Sequence, residues 1–282
     1  MKKMFTIVLA ALMVAALFAG CGSSTAETKA PETTAAPAAT AAAETATPAE
    51  TEAAAPAFTT IEAGKLIMST NAAFPPYEMV ADDGSFEGID VEIAGAIAKK
   101  LGLELVVDDM DFDAALLAVQ QGKSDIVMAG VTVNEDRKLV MNFSDTYSKG
   151  VQVVIVKEGS DVTLDNLGDQ MIGTQRGTTG YIYTSGDYGD DHVTDYDNGA
   201  SAVQALMNGQ VDCVVIDSAP AQAFVENNPG LTILDTEYTS EDYAIGMNKD
   251  NTALLEAING ALKELTEDGT IPAIVEKYIP TK

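Results

Sequence analysis

The chain has 282 residues, with 43 acidic against 16 basic side chains, a formal net charge of −27, one histidine and two cysteines. So acidic a balance leaves no basic patch for nucleic acid. Two cysteines exclude a disulfide framework, and a lone histidine excludes a histidine-built metal cluster or catalytic triad.

Met1-Lys2-Lys3 precedes an apolar run over 4–19, the basic-then-hydrophobic order of a secretory signal peptide, here 1–20. The run ends in Leu17-Phe18-Ala19-Gly20-Cys21, which resembles the lipobox of bacterial lipoproteins, with Phe18 where leucine is usual. That resemblance implies lipidation at Cys21 and a lipid anchor on the extracytoplasmic face of the cell membrane. Residues 21–60 are rich in Ala, Thr, Pro and Glu and hold almost nothing bulky. They cannot bury enough apolar surface to offset their ordering entropy, and Pro31, Pro37, Pro48 and Pro56 interrupt helix, so a disordered tether is expected.

Beyond the tether, short apolar runs alternate with helical patterns. Strands are expected over 66–70, 103–107 and 125–130. One helix is expected with Asp90 as its cap and Ile93, Ala94, Ile97, Ala98 and Leu101 on its apolar face, ended by Gly102; another runs over 114–121 and stops at Gly122. The second half repeats this grammar, with strands over 151–156, 171–174, 213–217 and 231–234. Its helices follow Gly180 and run over 200–208 and 218–226, and two more close the chain over 252–266 and 271–278. The alternation predicts βαβ units and a largely parallel sheet, an α/β fold. Cys213, inside an apolar strand, reads as a small buried hydrophobe, and His192, in an acidic polar loop, as a solvated residue.

One pair of segments echoes the other. Ala118-x-x-x-Gly122-x-x-Asp125-Ile126-Val127-Met128-Ala129-Gly130 aligns with Ala205-x-x-x-Gly209-x-x-Asp212-Cys213-Val214-Val215-Ile216-Asp217. The alignment pairs Gly130 with Asp217, both at the carboxyl end of a strand, where open α/β sheets bind ligands. Near the first, Arg137 offers a planar fork suited to a carboxylate. Near the second, Asp217 offers a carboxylate that could also cap the helix at Ser218. A ligand carrying both a carboxylate and an ammonium, a free α-amino acid, would satisfy both. Backbone amides of Gly130-Val131-Thr132 and of Arg176-Gly177-Thr178-Thr179-Gly180, which opens a helix, also favour an anion. The second loop lacks the Gly-Lys-Ser/Thr ending of a nucleotide loop, and no cofactor or metal is expected. Phe74 and Phe112 could sandwich a ligand side chain.

Asn71-Ala72-Ala73-Phe74-Pro75-Pro76-Tyr77-Glu78, Gly88-Ile89-Asp90-Val91-Glu92-Ile93, the segments 116–122 and 129–137, Phe143-Ser144-Asp145, Gln175-Arg176-Gly177-Thr178-Thr179-Gly180 and 262–278 together resemble the family 3 extracellular solute-binding proteins of polar amino acid ABC transporters. The resemblance covers residues 64–279. It implies a type II periplasmic-binding-protein fold, a Venus flytrap of two α/β lobes, 61–146 plus 245–282 and 147–244, joined by hinge strands crossing near 146–150 and 240–244. On that pattern Arg137 and the amides of Thr132 and Thr179, in the loop that also carries Thr178, receive the α-carboxylate. The Gly130 carbonyl and Asp217 receive the α-ammonium. Phe74 and Phe112 flank the side chain, with Asn71 and Gln175 at its polar end. Asn71 stands where relatives often carry aspartate, and Arg176 is left pointing either into the cleft or to solvent. The implied function is delivery of a polar or basic amino acid to the transmembrane subunits of an ABC permease by a lipid-anchored monomer that is not an enzyme. Two alternatives stay open: a cleft enzyme of the same fold, a dehydratase or lyase using Glu78, Asp109 or Asp111, and a receptor-type amino-acid sensor.

Overall fold

A computed structural model describes residues 58–280. The expected signal peptide, the lipidation site Cys21 and most of the tether lie outside the described residues. The first half runs β1 (Lys65–Thr70), β2 (Ala73–Phe74), β3 (Glu78–Val80), β4 (Phe86–Glu87), α1 (Ile89–Lys100), β5 (Glu104–Asp109), α2 (Phe112–Gln120), β6 (Ile126–Val127) and α3 (Glu135–Val140). A long strand, β7 (Met141–Lys157), leads to β8 (Ile172–Gln175), α4 (Thr179–Tyr188), β9 (Val193–Tyr196), α5 (Gly199–Met207), β10 (Cys213–Asp217), α6 (Ser218–Asn227) and β11 (Leu231–Ile233). The chain returns through β12 (Thr239–Asn248) and ends in α7 (Thr252–Glu267) and α8 (Thr270–Tyr278).

The main sheet has the order β5-β1-β6-β12-β7-β10-β8-β9, with β11 beside β7. β1 pairs in parallel with β5 and β6, and β8 with β9 and β10. The antiparallel pair β7–β12 joins these two parallel blocks, from Thr239 opposite Gln152 to Asn248 opposite Met141, with irregularities flanking Ala244. Strands covered on both faces read as continuous apolar runs. Val153 to Val156 on β7 and Cys213 to Ile216 on β10 are all buried.

The helices follow their apolar spacing. On α1, Ile93, Ala94, Ile97 and Ala98 are buried, and on α7 the buried residues are Leu254, Ile258, Ala261, Leu262 and Leu265. Asn251 caps α7 by accepting from the Leu254 amide at 3.3 Å. The echoed segments adopt one local structure. α2 and α5 are each followed by a glycine in the left-handed region, Gly122 at φ 67° and Gly209 at φ 71°, and then by β6 and β10.

Three expectations are corrected. Asp90 is not the cap of α1, because Gly88 occupies that position. Asp90 lies in the first turn, is fully buried, and turns its carboxylate inward to accept from the Gly130 amide (2.9 Å) and the Tyr147 hydroxyl (2.8 Å). The strand expected over 125–130 shortens to β6, since Gly130, at φ 54°, turns the chain out of extended geometry. Asp217 holds the cap position of α6 without making a side-chain cap bond, its carboxylate being engaged elsewhere.

Candidate functional site

The carboxyl ends of β1, β6, β8 and β10 converge on one cavity. All ten residues expected at the site line it. Asn71 follows β1, Phe74 ends β2, and Phe112 opens α2. Gly130 and Thr132 follow β6, and Arg137 comes from α3. On the facing wall, Gln175 ends β8, Thr178 and Thr179 open α4, and Asp217 ends β10. Glu78 and Ala129 complete the lining.

Arg137 is placed by its own helix. Asn134 caps α3 by accepting from the Arg137 amide at 2.8 Å. The guanidinium then folds back, is buried, and donates from Nη1 to the Thr132 carbonyl (2.8 Å) and from Nη2 to the Gly177 carbonyl (3.0 Å). It lies 5.4 Å from the centroid of the Phe112 ring, a cation–π distance. Burial lowers its pKa from the ordinary arginine value, and the nearby Glu241 carboxylate opposes that shift. No carboxylate pairs with it among the described residues. A buried guanidinium whose two bonds go to neutral carbonyls retains affinity for an anion.

Asp217 is the opposite pole. Gln152 Nε2 donates to Asp217 Oδ2 at 2.7 Å and to Glu241 Oε2 at 2.9 Å. Burial pushes the Asp217 carboxyl up to about 7, and Glu241 adds to the shift while Gln152 opposes it. Gly150 on β7 lies directly beneath. A Cβ there would press on Asp217 Oδ1 and come within 2.6 Å of Tyr243 Cε1. Gly130 is constrained in the same way, because a Cβ would sit 2.9 Å from Phe74 Cε1.

Hydrogen bonds link the two walls. Gln175 Nε2 donates to Asn71 Oδ1 at 3.0 Å, while Asn71 Nδ2 donates to the Met110 carbonyl at 2.9 Å. Thr132 Oγ1 and Thr179 Oγ1 lie 3.4 Å apart. Thr178 caps α4, its hydroxyl 3.4 Å from the Tyr181 amide, and leaves the first helical amides facing the cavity end of the helix.

Comparison with known proteins fits this geometry. A family model described as "Bacterial extracellular solute-binding proteins, family 3" matches residues 66–281. The chain belongs to this family. A probable histidine-binding protein of Neisseria gonorrhoeae is 34% identical over 80% of this chain and 87% of its own length. An ancestral arginine-binding protein solved with arginine is 41% identical, covers 77% of this chain and 98% of its own, and has a TM-score of 0.72. An ancestral arginine-binding protein solved with glutamine is 40% identical, covers 77% of this chain and 99% of its own, and has a TM-score of 0.74. The fold is accordingly the type II periplasmic-binding-protein fold, and solute-binding proteins of this family act outside the cytoplasm. No helix among the described residues is long and apolar enough to cross a membrane.

Other residues of this family member take places the sequence left open or missed. Arg176 is exposed and points away from the cavity, paired with Asp195 (2.7 Å) and Asp197 (2.8 Å). Asp109 and Asp111 stay outside the lining, and Asp109 Oδ1 accepts from the Ala72 amide at 2.8 Å. Glu78 alone of the three candidate acids reaches the cavity. Gln152 and Glu241 went unrecognised as partners of Asp217. Gln152 does leave a trace, as the one polar residue in the run from Val151 to Val156. Cys213 is buried and its thiol is pushed up to about 12 by desolvation, which keeps it unreactive. Among the described residues no cluster of three or more His, Cys, Asp or Glu is arranged to hold a metal ion.

Proposed function

We propose that this protein is the extracytoplasmic binding component of an ABC importer and that its ligand is a free basic L-amino acid, arginine first among them. The observation that carries this reading is the pairing of an anion-seeking Arg137 with a cation-seeking Asp217 across one buried cavity. The α-carboxylate meets Arg137 and the amides of Thr132 and Thr179, and the α-ammonium meets Asp217 and the Gly130 carbonyl. The side chain passes between Phe74 and Phe112 toward Asn71, Gln175 and Glu78. Both Glu78 oxygens are buried and accept no hydrogen bond from any neighbouring amide, hydroxyl or cation, so this end of the cavity offers a second acid to a cationic side chain. Arginine and histidine in the names of similar proteins support the same ligand class.

The body spans lobes 61–146 plus 245–282 and 147–244. A lipid at Cys21 holds it, as a monomer, beside the permease's transmembrane subunits. It binds without turning its ligand over. Thermal-shift screening of the purified protein against the free amino acids tests this, since a ligand of the native state raises its stability. Arginine and lysine are expected to raise Tm most, with stoichiometric binding by calorimetry and unchanged ligand recovered afterwards. A flat response to every amino acid, or chemical conversion of the ligand, overturns the reading.

A further inference from the structure

The motif Gly88-Ile89-Asp90-Val91-Glu92-Ile93 has no place in the clamp just described, yet it delivers a fully buried carboxylate to the backbone of Gly130, a residue that lines the cavity. Asp90 Oδ2 is spoken for by the Gly130 amide and the Tyr147 hydroxyl. Its Oδ1 and both oxygens of Glu78 are buried and accept from no amide, hydroxyl or cation. The two carboxyl groups are neighbours, because the Asp90 amide donates to the carbonyl of Tyr77, the residue before Glu78, at 2.9 Å. Two neighbouring carboxyls, both fully buried, with three unpartnered oxygens and no cation beside them, do not both stay ionised, so one of them carries a proton. Among the described residues no lysine or arginine forms an ion pair with either.

The surroundings reinforce the need for that proton. Asp109 at the end of β5 and Asp217 at the end of β10 face Glu78 with like charge. Tyr77 and Tyr147 supply phenol groups, both held neutral well above their ordinary range, chiefly by burial. Burial first, then Asp90, raises the Glu78 carboxyl well above the usual carboxylate range. Asp90, with two donors on its other oxygen, is pushed up only to about 6. The proton therefore sits on Glu78.

We propose that Glu78 and Asp90 hold a single proton between them and that a cationic ligand side chain displaces it, so that a basic amino acid enters in exchange for a proton while a neutral one enters without exchange. This rests on the reading that the ligand side chain reaches Glu78. The step balances in charge: the protonated pair carries one negative charge, and the deprotonated pair with a guanidinium beside it carries the same net charge. The O–H bond of Glu78 breaks, its proton passes to solvent, and the freed oxygen accepts from the ligand's N–H. The low-dielectric floor never has to hold two uncompensated anions.

Calorimetry of the full chain in buffers of different ionisation enthalpy, near pH 8, counts protons released on binding. The probes are L-arginine and L-citrulline, alike in shape and differing in side-chain charge. Both ammonium groups address Asp217 equally, so its contribution cancels between them. Arginine is expected to release about one proton more than citrulline, and its affinity relative to citrulline to rise up to about tenfold per pH unit. Glu78→Gln, whose amide can donate permanently to Asp90, removes both differences. In Asp90→Asn the new amide donates to Glu78, so Glu78 ionises in advance. Arginine then binds without extra release and more tightly at pH 6 than it binds the native chain. Equal proton counts for arginine and citrulline in the native chain overturn the exchange. Failure of arginine to bind at all overturns the ligand assignment instead.

Discussion

Asp217 must be charged to hold an ammonium, yet its burial favours the neutral acid. With its folded-state value raised to about 7, the free protein keeps a proton there that the unfolded chain, near the ordinary value of about 4, has released. Its contribution to stability therefore declines as pH rises from about 4 through 7. An ammonium reverses the preference by favouring the ionised form. Affinity for any amino acid is expected to fall by up to about tenfold per pH unit below 7, and Asp217→Asn is expected to flatten that slope while weakening binding at pH 8. Calorimetry across pH 5 to 8 checks both, and an unchanged slope in the variant removes Asp217 from the ammonium site. Arg137→Ala strips the carboxylate of its charged partner and is expected to cost about 3 kcal/mol, roughly a hundredfold in Kd. Near-native affinity in that variant excludes Arg137 as the carboxylate anchor. That Arg137 and Asp217 come to one cavity was legible in sequence, because the internal echo pairs Asp217 with Gly130, seven residues before Arg137, each at the carboxyl end of a strand. Asp90 and Glu78 were not, because their partnership depends on how α1 and β3 meet in space. Asp90, at a helix start in sequence, offers only the local reading of a cap.

β7 and β12 are the elements on which the two parallel blocks turn, and they carry polar residues where apolar ones would pack. Gln152 on β7, 1% exposed, satisfies two carboxylates at once, Asp217 from β10 and Glu241 from β12. Gln152→Leu fills the same space but leaves both acids without that donor. Losing hydrogen bonds to buried charged groups costs about 1.5–3 kcal/mol each. Lower Tm is expected, with a larger loss at pH 8 than at pH 5, where Asp217, protonated, no longer needs the donor. Equal losses at both pH values show that Gln152 acts through packing alone. The alternation of helix and strand, and hence the parallel blocks, was legible from periodicity and glycine stops. The mixed order, with β12 inserted between β6 and β7, was not. It arises from pairing between segments about a hundred residues apart, which no local pattern encodes.

At the scale of the whole molecule, the proposed binding is a closure. Arg137 reaches the Gly177 carbonyl, Gln175 reaches Asn71, and Thr132 approaches Thr179. Each bond runs between the walls that the ligand would bridge, so each stabilises the closed arrangement independently of the ligand's own contacts. A ligand shifts a two-state equilibrium only by its differential affinity for the states. Bonds of this kind set how much of that affinity is spent on closing. Small-angle scattering is expected to show a smaller radius of gyration when arginine is added. Gln175→Ala removes one neutral cross-wall bond, worth about 1 kcal/mol, and is expected to raise Kd about fivefold. The loss should lie in dissociation: encounter takes place with the open cleft, where the bond is absent, whereas escape from the closed form requires breaking it. Rapid-mixing kinetics separate the two rates. A fivefold slower association with unchanged dissociation contradicts a closure bond, and assigns Gln175 instead to the first contact with the incoming ligand.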